Sequence, residues 1–192
     1  LLEIFWPRGR RTRQKPAVAV LVLLLLVFPT EGATLKQAQG NYRQGEYALA
    51  QQDYEELLRL NPGDPKLHYN AGTAAYQSGK HNEAAKHFRS SLRTSDLNLQ
   101  HRAFYNLGNT HYRLGAQMQR PEDQIPAWEE AAGHFEAASE LNPRDNSSKR
   151  NLKFIRTKIE EAKRKLEQLS DELPLDGVTR FKNQEDKKFA LR

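Results

Sequence analysis

The sequence predicts an all-α fold, a solenoid of about three helical hairpins closed by a long C-terminal capping helix, and two features carry that prediction. The first is self-similarity. Gly45, Tyr47, Ala50, Tyr54, Leu57, Leu58 and Pro62 align with Gly79, His81, Ala84, Phe88, Ser91, Leu92 and Asp96 at a constant offset of 34 residues. The second is an apolar stripe near the C-terminus, Leu152, Ile155, Ile159, Ala162, Leu166 and Leu169, whose spacings of three and four are those of one helix face. Composition agrees: 192 residues make about one folded unit, and a hydrophobic fraction of 38% suits a chain that spends residues on a targeting segment, an elongated helical array and a charged tail better than a closed sphere.

Residues 1–32 are expected to be a signal peptide or a signal anchor. Arg8, Arg10, Arg11, Arg13 and Lys15 precede an apolar run, residues 17–28, bracketed by Pro16 and Pro29. Twelve helical residues span about 18 Å against a hydrocarbon core of about 30 Å, which favours a cleaved secretory signal over a spanning helix. Small residues at Thr30 and Gly32 suit cleavage after Gly32, and attachment to the cytoplasmic membrane through residues 17–28 is the alternative. The expected location is therefore periplasmic or exported, or anchored to that membrane. Most of the net charge of +6 lies before residue 16, so the basic balance does not point to nucleic acid. The chain has no cysteine, which removes disulfides, thiolate nucleophiles and Cys-based zinc sites.

Three repeats are predicted within 33–145, at about 31–64, 65–98 and 101–145. The third arrives in two pieces. Phe104 to Asn109, with Tyr112 and Gly115, matches His68 to Thr73, with Tyr76 and Gly79, while Trp128, Ala131, Phe135, Ala138 and Pro143 match the second half. Between them lies an insertion, 116–126, which contains Pro121 and Pro126 and few apolar residues and is expected to be an exposed loop. Gly72 and Gly108 fall in mid-helix at a cost of about 1 kcal/mol, which argues that a neighbouring helix crosses too closely for a side chain. Gly45, Gly79 and Gly115 suit left-handed positions that end a helix. Ala50, Ala84 and Ala131 are small contacts, with Tyr54, Phe88 and Phe135 four residues on filling the space between repeats. Pro62 and Pro143 stop the second helix of their units.

The capping helix is predicted over 146–170. Its first half should cover the exposed face of the third repeat; the second projects, so that Ile159, Leu166 and Leu169 could meet a partner helix or a second copy in a homo-oligomer. Its charged face mixes many cations with Glu160, Glu161 and Glu167, a solvated pattern that suits an acidic partner or an anionic lipid surface better than nucleic acid. Residues 171–192, with Pro174 and Gly177, are polar and irregular and are expected to be disordered.

At the recurring Gly, Ala, aromatic and Pro positions the sequence resembles the tetratricopeptide-repeat family over roughly 31–145, departing from it at Gln37 and Asp96. The resemblance implies a superhelix whose concave groove is lined by the first helix of each pair and binds a protein or peptide. In register that groove comprises Gln39, Tyr42 and Arg43, then Tyr69, Asn70, Thr73, Tyr76 and Gln77, then Tyr105, Asn106, Asn109, Tyr112 and Arg113. The carboxylate clamp of some co-chaperone members is matched only at Asn70, so a terminal carboxylate is not the expected ligand. Phe104 to Asn109, the insertion, Trp128 to Ala131, Leu141 to Asp145 and Asn151-Leu152 further resemble the repeat proteins of bacterial Bat (aerotolerance) operons. That likeness implies a scaffold working with a von Willebrand A-domain membrane protein.

No catalytic residue, cofactor or metal ligand is predicted. The six histidines form no His-Glu-x-x-His helix and no spacing that clusters them with carboxylates, and His81 and His111 stand at repeat positions usually held by packing aromatics. Phosphate-cradling glycine loops and Gly-x-Ser-x-Gly elbows are absent from the sequence.

Overall fold

The structure, a computed structural model, describes residues 33–172, and the expected signal or anchor at 1–32 and the tail from 173 onward lie outside them. The described residues form seven helices: α1 (Leu35–Arg43), α2 (Tyr47–Leu60), α3 (Pro65–Gln77), α4 (His81–Ser91), α5 (Leu97–Ala116), α6 (Pro121–Leu141) and α7 (Asn146–Glu172). Each helix packs on the next in sequence, so α1/α2, α3/α4 and α5/α6 are three hairpins in series with α7 laid against α6. This is the predicted solenoid and its capping helix.

The local chemistry explains the punctuation. Asp64, Asp96 and Asp145 precede α3, α5 and α7, and each carboxylate accepts hydrogen bonds from two amides of the helix it opens. A side-chain acceptor at this position answers donors that have no intrahelical partner. Asp96, a departure from the closing proline, is thus the start signal of α5. At the tips of the first two hairpins, Gly45 and Gly79 have φ of 84° and 79°. There the amides of Glu46 and Lys80 return to the carbonyls of Asn41 and Ala75, the six-to-one bond of a Schellman motif that only a left-handed residue permits.

Three apolar clusters each join a hairpin to the helix that follows it. Ala38, Ala50, Tyr54, Leu58 and Leu67 pack in the first, Ala75, Ala84, Phe88 and Leu107 in the second, and Trp128, Ala131, Phe135, Ile155, Ile159 and Ala162 in the third. The mid-helix glycines are explained as expected: a Cβ on Gly72 would stand 2.8 Å from the Phe88 ring, and one on Gly108 2.7 Å from Phe135. Either contact is closer than carbon atoms tolerate.

Two expectations are corrected. Gly115 does not end a helix; α5 runs one residue past it, and a Cβ there would lie 2.5 Å from the Trp128 indole, whose Nε1 donates to the Tyr112 carbonyl. Nor is the insertion 116–126 an exposed loop. Pro121 opens α6 at its first position, where a missing amide proton costs nothing, and Glu122 and Asp123 follow in the first turn, where acidic groups suit the helix dipole. Pro121 is buried and Ile125 packs against the third cluster, so the inserted residues lengthen α6 by more than a turn, with Pro126 accommodated inside it. Only Gln117 to Arg120 remain outside helix.

Among the described residues no helix is long and apolar enough to cross a membrane.

Candidate partner-binding groove

The first helices α1, α3 and α5 lie side by side, and their polar side chains are joined across the row. The Tyr42 hydroxyl meets Gln77. Asn106 Nδ2 donates to the Tyr69 hydroxyl at 3.0 Å, and Arg113 Nε to the Tyr76 hydroxyl at 3.4 Å. α7 continues the row, since Asn151 Nδ2 donates to the Tyr105 hydroxyl at 3.3 Å and to Asn109 Oδ1 at 3.5 Å. Burial pushes the Tyr42 hydroxyl above its ordinary pKa, partly offset by its bond to Gln77.

The tyrosine rings have a second attachment. Tyr69 leans on Phe88 at 5.8 Å between centroids, Tyr105 meets Phe135 edge-on at 5.7 Å, and Tyr42 meets Tyr47 at 5.2 Å. Each ring therefore holds its helix to a neighbour while its hydroxyl reaches the row. None of the thirteen groove residues is fully buried; Gln39, Arg43, Gln77 and Arg113 are exposed and the other nine half-buried. Thr73 spends its hydroxyl on the Tyr69 carbonyl at 2.7 Å, and Arg43 bonds the Gln39 carbonyl at 3.2 Å within its own helix.

Between α3, the N-terminal half of α5 and the start of α7 a cleft of about 400 Å³ is lined by Tyr69, His101, Arg102, Tyr105, Asn106, Asp145 and Ser147. The Arg102 guanidinium stands 4.9 Å over the Tyr69 ring, a cation–π contact that holds a charge at the mouth. His101 bonds the Asp145 carboxylate at 3.1 Å. Burial pushes that carboxyl up, but the Ser148 hydroxyl, the Ser147 amide, His101 and the Ser148 amide outweigh it and hold the pKa at about 2. Sequence reasoning missed Arg102 and His101. The available signal was that Arg102 lies three residues before Tyr105, on the same helix face.

The residues expected to share a face on α7 are divided. Ile159 is 6% exposed in the third cluster, whereas Leu166 and Leu169 are 37% and 44% exposed. Ile159 holds α7 to α6, which leaves the two leucines as the surface available to another helix.

Outside the groove, the statement that no histidine clusters with a carboxylate is overturned. His111 on α5 and Glu130 and His134 on α6 each place a ligand-type atom within 4.8 Å of the others. Arg89 Nη2 donates to His111 Nε2 at 3.3 Å and to Glu130 Oε2 at 3.2 Å, so the proton of His111 sits on Nδ1, 3.1 Å from Glu130 Oε2. His134 Nε2 is buried with no partner. Burial, His111 and Arg89 together depress the His134 pKa to about 4, and burial lowers that of His111.

The tetratricopeptide-repeat profile matches residues 35–98. These residues are tetratricopeptide repeats. The tetratricopeptide fold continues through the third hairpin, as solved structures show. The first tetratricopeptide domain of Spaghetti (RPAP3), solved with the HSP90 peptide SRMEEVD, is 19% identical with a TM-score of 0.54, covering 65% of this chain and 88% of that one. The second such domain of human RPAP3, solved with the HSP70 peptide SGPTIEEVD, is 21% identical with a TM-score of 0.53, covering 63% and 90%. The Sgt2 tetratricopeptide domain of Aspergillus fumigatus is 24% identical with a TM-score of 0.50, covering 79% and 89%. Among proteins with curated descriptions none matches the chain.

Proposed function

We propose that this chain is a non-catalytic scaffold that binds an extended segment of another protein along α1, α3 and α5. Its fold is one that mediates protein–protein interactions, and two of the similar domains were solved with peptides. The observation that carries the reading is the cleft between α3, α5 and the start of α7, where Tyr69 and Tyr105 offer amphipathic rings, Asn106 an amide and Arg102 a charge. Tyrosines bury large areas at low entropic cost and amides pair with a peptide backbone. The peptides in the similar domains end in acidic residues, and Arg102 is the cation at this cleft that would attract such a segment.

In this proposal the apolar run 17–28, with the basic residues before it, exports the chain or anchors it to the cytoplasmic membrane. The partner is a membrane protein with a von Willebrand A domain, in a Bat-like complex, as the likeness around Phe104 to Asn109 implies. The test is capture from membrane and periplasmic fractions by the full-length chain and by a Tyr69→Ala, Tyr105→Ala, Asn109→Ala variant of unchanged helicity. Loss of a von Willebrand A-domain protein in the variant supports the reading; its retention rejects the groove.

A second reading rests on Leu166 and Leu169, exposed near the end of α7. In it the chain is a membrane-anchored assembly or oligomerisation factor that pairs through this helix. Leu166→Glu with Leu169→Glu would then abolish capture or self-association while leaving groove-dependent binding intact.

A further inference from the structure

We propose that His111, Glu130 and His134 form a binding site for one divalent ion of the zinc type, in the third hairpin and separate from the groove. Two imidazoles and a carboxylate are the donor set that borderline ions accept, and three protein ligands leave a fourth position for water. Glu130 and His134 are four residues apart on α6 and so share one face, and α5 brings His111 to the same place.

Two features make this more than a chance meeting. His134 Nε2 is buried without any hydrogen-bond partner, a state that coordination to an ion would relieve. The place already accommodates a cation, since the Arg89 guanidinium touches both Glu130 and His111.

The geometry requires a modest closure. Ligand atoms about 2.0–2.2 Å from a tetrahedral ion stand about 3.4 Å apart, against the present envelope of 4.8 Å. Glu130 and Arg89 are each 55% exposed at the side chain, so the carboxylate can turn inward while the guanidinium swings into solvent. Arg89 is in this scheme the internal competitor of the ion, bound when the ion is absent and released when it enters.

The corresponding place in the second hairpin provides the control. Glu83 and His87 repeat the spacing of Glu130 and His134 on α4, but the position matching His111 is Ala75. His87 there is satisfied by Glu55 at 3.4 Å and by His68 at 3.2 Å.

Titration of the untagged, chelator-stripped chain with zinc ion at pH 7.5, followed by calorimetry and thermal melting, tests the site. One equivalent should bind and raise the melting temperature. His134→Ala, or His111→Phe with an aromatic where the repeat usually has one, should weaken binding by about tenfold or more, as should Glu130→Gln, while His87→Phe leaves it unchanged. Arg89→Gln should tighten it. Failure of both the native chain and Arg89→Gln to bind overturns the proposal, as does binding that survives in His111→Phe and His134→Ala.

Discussion

Gly79 and Gly115 stand at the same register in successive repeats and do opposite work. Gly79, at φ 79°, ends α3 and lets the chain reverse into α4 within a few residues. Gly115 lies inside α5 with the Trp128 indole against its α-carbon, so that α5 runs on and α6 starts later. The same residue type thus serves backbone freedom in one hairpin and close packing in the other, and the insertion at 116–126 is what changes its task. The third hairpin gains a second glycine–aromatic contact beyond the one it shares with the second, Gly72 on Phe88 and Gly108 on Phe135.

The sharpest way to break this comparison is to remove the aromatic partner. Phe135→Ala and Phe88→Ala should each cost about 3–5 kcal/mol in denaturant unfolding. Each ring supports one tyrosine, but Phe135→Ala should cost more, because Phe135 also belongs to the cluster that fastens α7. A smaller cost than for Phe88→Ala would show that the third hairpin is not the tighter of the two. Next in size, Gly115→Ala should lose about 1–3 kcal/mol by overpacking against Trp128. Gly79→Ala should lose roughly 1–2 kcal/mol, for the different reason that alanine is strained at positive φ. Trp128→Leu would separate the two causes, since it should rescue Gly115→Ala and leave Gly79→Ala unaffected.

The smallest effect is with pH. The His134 pKa of about 4 in the folded chain lies below the ordinary 6.5, so the unfolded state takes up the proton first. Its contribution is complete above about pH 6.5 and is lost as pH falls toward 4. Between pH 7.5 and 6, in chelator, stability should fall by no more than about 1 kcal/mol for this group. His134→Leu should flatten that slope more than His87→Leu, because the hydrogen bond and charge of Glu55 offset part of the burial that lowers His87.

What could be read from the sequence follows from how far apart the interacting residues are. The first two hairpins were legible because Gly45 and Gly79, Ala50 and Ala84, and Tyr54 and Phe88 recur at the 34-residue period, and the pair Gly72 and Phe88 lies within one unit. The role of Gly115 was not, because nothing in the glycine itself distinguishes a turn from a contact and its partner Trp128 lies beyond the insertion. The insertion was misread for its prolines, although Pro121 followed by Glu122 and Asp123 is also the pattern of a helix start. In the groove the tyrosines and asparagines could be named, but not that their hydroxyls and amides would be joined across helices, as in Tyr69 with Asn106. Least visible was the meeting of His111 with Glu130 and His134, which depends on the register of α5 against α6.

The three apolar clusters described above follow one another along the chain, each joining a hairpin to the helix after it, rather than fusing into one. Under tension the array would therefore behave as links of unequal strength in series. It would yield first at α1, which holds on by Ala38 as its one buried residue, and last where α7 is clamped by Ile155, Ile159 and Ala162. Drawn from its N-terminal end, the molecule would pay out slack one hairpin at a time and keep its C-terminal grip longest.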